Sequence, residues 1–429
     1  MTKKEKTSLP IQRPKGMHDI LPQAQPLWDK VRKSAREIAE YYNFVRMETP
    51  ILEKKELFLE TVGEVTDIIE KQMFVVTTKS KEQLVLRPEL TASLARAYVE
   101  NGLQSLGFPF KVWSDGPLFR YERPQAGRYR EFHQIDFEII SNEPDPVYDA
   151  ELILAAVRFL EICKLKNIKI FVNSIGCKNC RPQYRKQLQT YYRSKKSELC
   201  PDCLRRLETN PLRLLDCKEE KCISLKARAP IILDYLCKPC KDHFKNVLEY
   251  LEELKLPYEL DNYLVRGLDY YAKTVFEITV EGGTGAIIGG GRYDYLIELI
   301  GGKNLPAVGW AGGMERIIEA MNAQGVQLGN NKKPKIFFIY IGALAKKRSL
   351  VIIEDLRKNN IPIIESLGKE SLKGQLRTAD KLGSPFALIF GQKEAFEESI
   401  IVRDLDSGVQ ETVPLAKLAD TLKKKLKNQ

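Results

Sequence analysis

Apolar residues recur every three or four positions over residues 27–42, where Trp28, Val31, Ala35, Ile38, Ala39 and Tyr42 mark one face, so the spacing predicts an amphipathic helix. Shorter runs follow. Residues 44–48 form a strand pattern that stops at Pro50, 73–77 and 83–87 read as two further strands, and 90–99 as a helix. The runs 111–114 and 117–121 flank Asp115-Gly116, a dipeptide that predicts a tight hairpin turn. Alternation is cleanest over 131–140. His133, Ile135, Phe137 and Ile139 point one way and Gln134, Asp136 and Glu138 the other, so one side is core and the other is either a solvated face or the floor of a polar cavity.

An apolar helix over 150–160 and a strand over 168–173 lead to an abrupt change, because eight of the nine cysteines fall between Cys177 and Cys240. Strand patterns resume at Tyr258 and run on through 274–280, which makes the cysteine block an insertion within a sheet domain. The polar, turn-rich segment 322–335 reads as a linker. Beyond it, strand patterns at 336–341, 361–364 and 386–390 alternate with helical patterns at 350–358 and 372–382, as in a small α/β domain. The expected division is a sheet domain at 1–174 and 259–325, a Cys-rich insertion at 175–258, a linker at 326–335 and an α/β domain at 336–429.

Composition adds class and partner. The chain has 429 residues, enough for two to four domains at about 100–200 residues each. Its 43% hydrophobic and 29% charged content fits a folded protein, not a disordered one. Lys and Arg total 68 against 57 Asp and Glu, a net charge of +11 that favours polyanionic partners without specifying one. Residues 1–15 carry Lys and Arg with no apolar run behind them, and no segment approaches the ~18 apolar residues of a membrane span, so a cytosolic protein with no membrane partner is expected.

The arginines carry the candidate chemistry. Phe119-Arg120-Tyr121-Glu122 ends one strand and Arg128-Tyr129-Arg130-Glu131-Phe132-His133-Gln134 opens the next, a context in which a guanidinium can fork two hydrogen bonds onto a phosphate. A charged hairpin tip would look the same in isolation. This region, however, resembles motif 2 of the class II aminoacyl-tRNA synthetases. Gly309-Trp310-Ala311-Gly312-Gly313-Met314-Glu315-Arg316 is similar to their motif 3, and 28–50 to motif 1, which in that class builds a homodimer interface. Leu264-Val265-Arg266-Gly267-Leu268-Asp269-Tyr270-Tyr271, Gly289-Gly290-Gly291-Arg292-Tyr293-Asp294 and Arg87-Pro88-Glu89-Leu90-Thr91 resemble the two signatures and the substrate loop of histidyl-tRNA synthetases, a resemblance running from Lys15 to about Lys425. Leu90, where many relatives have Gly, and Met17-His18 depart from the pattern without removing a charged contact.

The resemblance implies an antiparallel-sheet class II catalytic domain with a helical insertion, and a C-terminal anticodon-binding domain. The implied reaction joins L-histidine to ATP, with Mg²⁺ on the phosphates, and passes the product to tRNA(His). Glu89, Thr91 and Gln134 would hold the α-ammonium, and Glu138 and Tyr271, with Tyr270 beside them, the imidazole. Arg120 would meet the α-phosphate, Glu122 and Arg128 would flank ATP, Phe132 would stack on adenine, and Arg316 would reach the γ-phosphate. Arg266 would sit between the carboxylate and the α-phosphate; its plain structural alternative is a helix cap or a pair with Asp269. Gln125 and Arg130 would face the acceptor end of the tRNA. Two other functions compete: a regulatory subunit of the same fold that senses histidine without catalysis, and a zinc-ribbon RNA-binding module on an α/β scaffold.

Cys177, Cys180, Cys200 and Cys203 follow C-x2-C-x19-C-x2-C, close to a zinc-ribbon spacing, and Cys217, Cys222, Cys237 and Cys240 would then form a second quartet. In a reducing compartment the alternatives are structural zinc or buried thiols.

Overall fold

The strand Glu131–Ile140 lies third in an eight-stranded sheet whose order is Val45–Arg46, Phe110–Phe119, Glu131–Ile140, Ala307–Gly313, Ile288–Arg292, Ala272–Val280, Ile168–Ser174, Glu259–Leu260. The two outermost pairs are parallel and the five inner pairings antiparallel. This is a computed structural model; the residues described are 11–63, 66, 68–123, 127–283, 285–328, 336–368 and 371–427. Two compact units divide the chain at Gln327 and Leu328.

In the first unit, the alternation over Glu131–Ile140 separates two environments. On one face Phe137 stacks on Trp310 with ring centroids 4.7 Å apart, and Trp310 stacks on Phe159 of the helix Val147–Ile162 at 5.6 Å. The helices Gln25–Tyr41 and Met314–Ala323 pack on the same side. The other face carries Gln134, Asp136 and Glu138; the helix Thr91–Glu100 packs at its Glu138 end, and at Gln134 and Asp136 the face opens into a cavity. A smaller three-stranded sheet, Leu52–Lys54, Gln83–Leu86 and Phe74–Thr77, leads into the helix Thr91–Glu100.

The hairpin expected at Asp115-Gly116 does not form. Phe110–Phe119 is one continuous strand, with Asp115 opposite Ile135 and Gly116 opposite Gln134. Asp115 accepts a hydrogen bond from Arg46 at 2.9 Å, and a Cβ on Gly116 would lie 2.5 Å from Nη2 of Arg87. The dipeptide therefore serves an ion pair and a close approach, not a turn. The chain reverses instead between Phe119 and Glu131, where 124–126 lie outside the described residues, as do 329–335 of the expected linker.

The insertion is helical, with Arg181–Arg193, Pro201–Thr209, Glu220–Lys226 and Lys238–Glu253 as its helices. In the second unit a five-stranded sheet runs Ile364–Glu365, Ile336–Tyr340, Phe386–Phe390, Ser399–Asp404, Gln410–Pro414, the first three parallel. Ile336–Tyr340 is buried along its whole length, as expected for a strand covered on both faces. The strand expected over 361–364 shrinks to Ile364–Glu365, since Pro362 has no amide to give a ladder. Among the described residues no helix is long and apolar enough to cross a membrane.

Candidate active site

A cavity of about 380 Å³ opens over the polar face of the Glu131–Ile140 strand. Of the sequence-derived candidates, Glu89, Thr91, Arg120, Glu122, Arg128, Phe132, Gln134, Arg266, Tyr270, Tyr271 and Arg316 line it. Glu138 stands one layer behind the wall. One carboxyl oxygen accepts from Thr91 Oγ1 at 2.6 Å and the other from the Tyr293 hydroxyl at 2.5 Å. Burial pushes Glu138 up to about 8, against the lowering effect of those two hydrogen bonds. Glu89 is pushed up to about 7 by burial, although its carboxylate accepts from the Ala92 amide at 2.8 Å. Asp136, between Gln134 and Glu138, is raised well above the usual carboxylate range by burial and by Glu138, and its Oδ1 has no partner. Three carboxyl groups thus lie at or just behind the cavity wall, each pushed by burial toward its neutral form.

Guanidinium groups stand close to these carboxyls, and Arg120 is near enough to oppose the rise that burial causes in both Glu89 and Asp136. Arg120 leaves the Phe110–Phe119 strand, donates from Nε to the Pro88 carbonyl at 3.0 Å, and lies 5.1 Å over the Phe132 ring. Burial lowers its pKa, opposed by Glu122 and Glu89. Arg266 is paired with Glu277, and its guanidinium carbon lies 5.9 Å from the Tyr271 ring centroid. Burial disfavours its charge, yet Tyr271 and Glu277 hold its pKa above the ordinary value. The expected alternative partner, Asp269, accepts instead from Asn210 Nδ2 at 2.8 Å. Arg316 donates to the Ala286 carbonyl at 2.8 Å, and Arg128 lies 3.7 Å from Glu122. Arg130 turns away from the cavity, its guanidinium 4.0 Å over the Tyr121 ring. Gln125 lies outside the described residues.

Sequence reasoning passed over several participants. Tyr293 sat unassigned inside the GGGRYD stretch. Gly309 is required by Glu138, since a Cβ there would lie 1.4 Å from Oε2, and Gly289 by Arg266, whose guanidinium would be 2.3 Å from a Cβ. Arg213 and Asp216 reach the cavity wall from the insertion, a contribution with no local sequence signal.

The cysteine quartets differ from the expected division. Cys177, Cys180, Cys237 and Cys240 converge, and so do Cys200, Cys203, Cys217 and Cys222, each set with its Sγ atoms within 4.8 Å of one another. The grouping is nested and not consecutive, because the insertion leaves the Ile168–Ser174 strand and returns through the helix Lys238–Glu253 at the same place. The first and last C-x2-C pairs therefore meet at its base. Cys177 Sγ lies 3.6 Å from Cys180 Sγ and 3.9 Å from Cys237 Sγ, and Cys200 Sγ lies 3.8 Å from Cys217 Sγ. Those spacings match the roughly 3.8 Å edge of a sulfur tetrahedron built on Zn–S bonds of about 2.3 Å. Backbone amides donate to the sulfurs, Cys237 N to Cys180 Sγ at 3.1 Å and Cys200 N to Cys222 Sγ at 3.4 Å. The ninth cysteine, Cys163, is buried elsewhere, and burial pushes its thiol up to about 12.

Comparison with known proteins agrees with this geometry. Residues 16–317 match the family model described as histidyl-tRNA synthetase, and 335–425 the model described as an anticodon binding domain. The chain is 43% identical over 417 residues to the histidine–tRNA ligase of Dehalococcoides mccartyi, covering 97% of this chain and all of that one. It is 42% identical over 408 residues to the histidine–tRNA ligase of Desulforamulus reducens, covering 95% and 97% of the two chains. The crystal structure of apo histidyl-tRNA synthetase from S. aureus superposes with a TM-score of 0.78 at 31% identity, covering 96% and 99%.

Proposed function

Because the chain belongs to the histidyl-tRNA synthetase family, class II aminoacyl-tRNA synthetases, we propose that its cavity activates L-histidine with ATP and delivers it to tRNA(His), with the residue roles below. The observation that carries the reading is that one cavity wall brings the carboxyls of Glu89 and Asp136 together with the guanidinium groups of Arg120, Arg266 and Arg316. A regulatory subunit is not favoured: the near full-length relatives are named as ligases, and the arginines stand in the cavity.

Histidine enters with its α-ammonium toward Glu89, Thr91 and Gln134. Its imidazole meets Glu138 and Tyr271, with Tyr270 packed against Tyr271 at 4.7 Å between centroids. Each Glu138 oxygen already accepts one hydrogen bond and can accept a second, so an imidazole N–H can be satisfied where an apolar side chain would leave the carboxyl stranded. Arg266 and Arg120 neutralise the carboxylate and the α-phosphate, two anions that otherwise repel, so that the carboxylate attacks in line and pyrophosphate leaves. Phe132 carries the adenine, Arg128 and Glu122 flank the nucleotide, and Arg316 takes the γ-phosphate. The terminal ribose hydroxyl of the tRNA then attacks the adenylate carbonyl and AMP departs. Glu122, on the cavity wall, offers the oxygen ligand a hard cation prefers, so Mg²⁺ would be held by it and by the ATP phosphates, where it would neutralise phosphate charge.

The tRNA partner fits the net charge of +11, with Gln125 and Arg130 at the acceptor end and 336–429 at the anticodon. Exposed Val45, on the edge strand Val45–Arg46 of the motif 1 segment, with exposed Ile51 and Leu52 just beyond that segment, supports a homodimer through that face. Each cysteine quartet holds one structural zinc ion. The protein works in the cytoplasm. ATP–pyrophosphate exchange with each amino acid in turn tests the central reading: exchange with histidine alone is expected, and none with histidine would overturn it.

A further inference from the structure

Residues 261–271, which carry Arg266, form neither helix nor strand. Side chains of the insertion hold them. Asn210 donates to Asp269, Arg213 donates from Nη1 to the Arg266 carbonyl at 3.2 Å, and Arg181, next to Cys180, donates to the Tyr271 carbonyl. Arg213 is only 8% exposed and lies 3.5 Å from Asp216. A Cβ on Gly267 would come within 3.4 Å of Arg213 Nη1, so the guanidinium sits against the backbone on both sides of that peptide.

The inner quartet flanks Arg213 along the chain. Cys200 and Cys203 open the helix Pro201–Thr209, and Cys217 and Cys222 follow the turn Pro211–Asp216 that contains Arg213. The four sulfurs close this excursion at its base, and its tip, Asn210 to Asp216, reaches the cavity. We propose that the inner quartet, Cys200, Cys203, Cys217 and Cys222, is a metal-pinned brace that positions the catalytic Arg266 through Arg213. Arg213 acts through Arg266: by donating to the Arg266 carbonyl it fixes the backbone from which that side chain projects. A metal holding both ends of a short loop removes the freedom that would let that contact drift, and a drift of about 1 Å at a charge-neutralising arginine costs on the order of 10²-fold in rate. The inference rests on the zinc reading of the quartets.

The test uses the full chain purified without chelator. Zinc content, kcat and histidine KM in pyrophosphate exchange are measured for wild type, Arg213→Ala, Arg213→Lys, Cys217→Ser/Cys222→Ser, and Arg213→Ala combined with that pair. Wild type is expected to carry two zinc ions. Arg213→Ala keeps both, holds KM within a few-fold, and loses about 10²-fold in kcat, with partial recovery in Arg213→Lys. The cysteine pair variant loses one zinc and a similar factor, and the combined variant falls no further, because both changes act through one contact. Unchanged kcat in Arg213→Ala, a loss confined to KM, or multiplying losses in the combined variant would overturn the positioning role. Wild type without zinc, with the Arg213→Ala loss intact, would overturn the metal reading alone. Should the cysteine variant fail to fold, the Arg213 variants, with all eight cysteines in place, still decide the positioning role.

Discussion

A single methyl group on Gly309 would sit 1.4 Å from Oε2 of Glu138, so the backbone of one strand is the wall against which the buried carboxyl of its neighbour is set. The two residues are directly paired in the sheet, and the absence of a Cβ lets the carboxyl turn to receive Thr91 and Tyr293. Gly309→Ala should displace that carboxyl, break both hydrogen bonds, and raise the histidine KM in pyrophosphate exchange by about 10-fold or more, since leaving a buried polar group unsatisfied costs ~1–3 kcal/mol. Calorimetric titration with histidine checks it, and unchanged far-UV circular dichroism separates loss of the site from loss of the fold. An unaltered KM would mean that Glu138 does not set the pocket.

Arg266 and Tyr271 share one loop but divide the work. Arg266 is paired with Glu277 and lies 5.9 Å from the Tyr271 ring; in the proposed mechanism its guanidinium serves the reacting groups and the Tyr271 hydroxyl serves the imidazole. Arg266→Ala should lower kcat for pyrophosphate exchange by about 10²–10³-fold with a small change in histidine KM, as for removal of a transition-state donor. Tyr271→Phe should do the reverse, raising KM with kcat largely kept. Two variants that lost only affinity would remove Arg266 from the catalytic role.

How much of this was legible in the chain depended on whether the signal was local. The alternation over Glu131–Ile140 announced a two-sided strand, and the register places Gln134, Asp136 and Glu138 on its open side. Two parallel strands of the second unit, Ile336–Tyr340 and Phe386–Phe390, were equally plain, because each run is apolar throughout, whereas the short third one was displaced. Asp115-Gly116 misled, since the same dipeptide that turns a hairpin also lets Arg87 approach a backbone, and nothing nearby in sequence tells them apart. The cysteine grouping misled for a related reason: spacing gives the pairs, but which pairs meet is decided by where the insertion leaves and rejoins the sheet. Arg213 was invisible because its function lies in a contact 53 positions away.

Acid-base behaviour follows from the raised carboxyls. The Glu89 and Glu138 values of about 7 and about 8 lie above the 4.5 of an ordinary glutamate, and burial is the main cause in both. The folded state therefore binds protons more tightly than the unfolded one. The stability these groups contribute is full below about 4.5 and is lost as pH rises through about 7 and then about 8. Unfolding midpoints of the free protein in urea, measured from pH 5 to 8.5, should fall less steeply for Glu138→Gln than for wild type. Parallel curves would show that Glu138 ionises as an ordinary surface carboxylate.

Among the described residues the most deeply buried charge pair joins the GGGRYD stretch to the helix Val147–Ile162. Arg292 and Asp149 are both fully buried, with Arg292 Nε donating to Asp149 at 3.0 Å, and the Asp149 carboxylate also faces His243 Nε2 at 3.4 Å from the last helix of the insertion. Burial alone would raise Asp149, yet Arg292 and then His243 hold it well below the usual carboxylate range. Asp294 lies 3.3 Å from Arg292 and is itself 2.7 Å from Lys273, so the ions form a chain and not an isolated pair. Removing one partner leaves a charge uncompensated in the interior. Arg292→Ala should therefore cost about 3–5 kcal/mol of stability, while Arg292→Ala with Asp149→Leu should recover much of that loss. Equilibrium denaturation of the two variants checks both values. A double variant no more stable than the single one would mean that Arg292 acts by filling space, and that its charge is incidental.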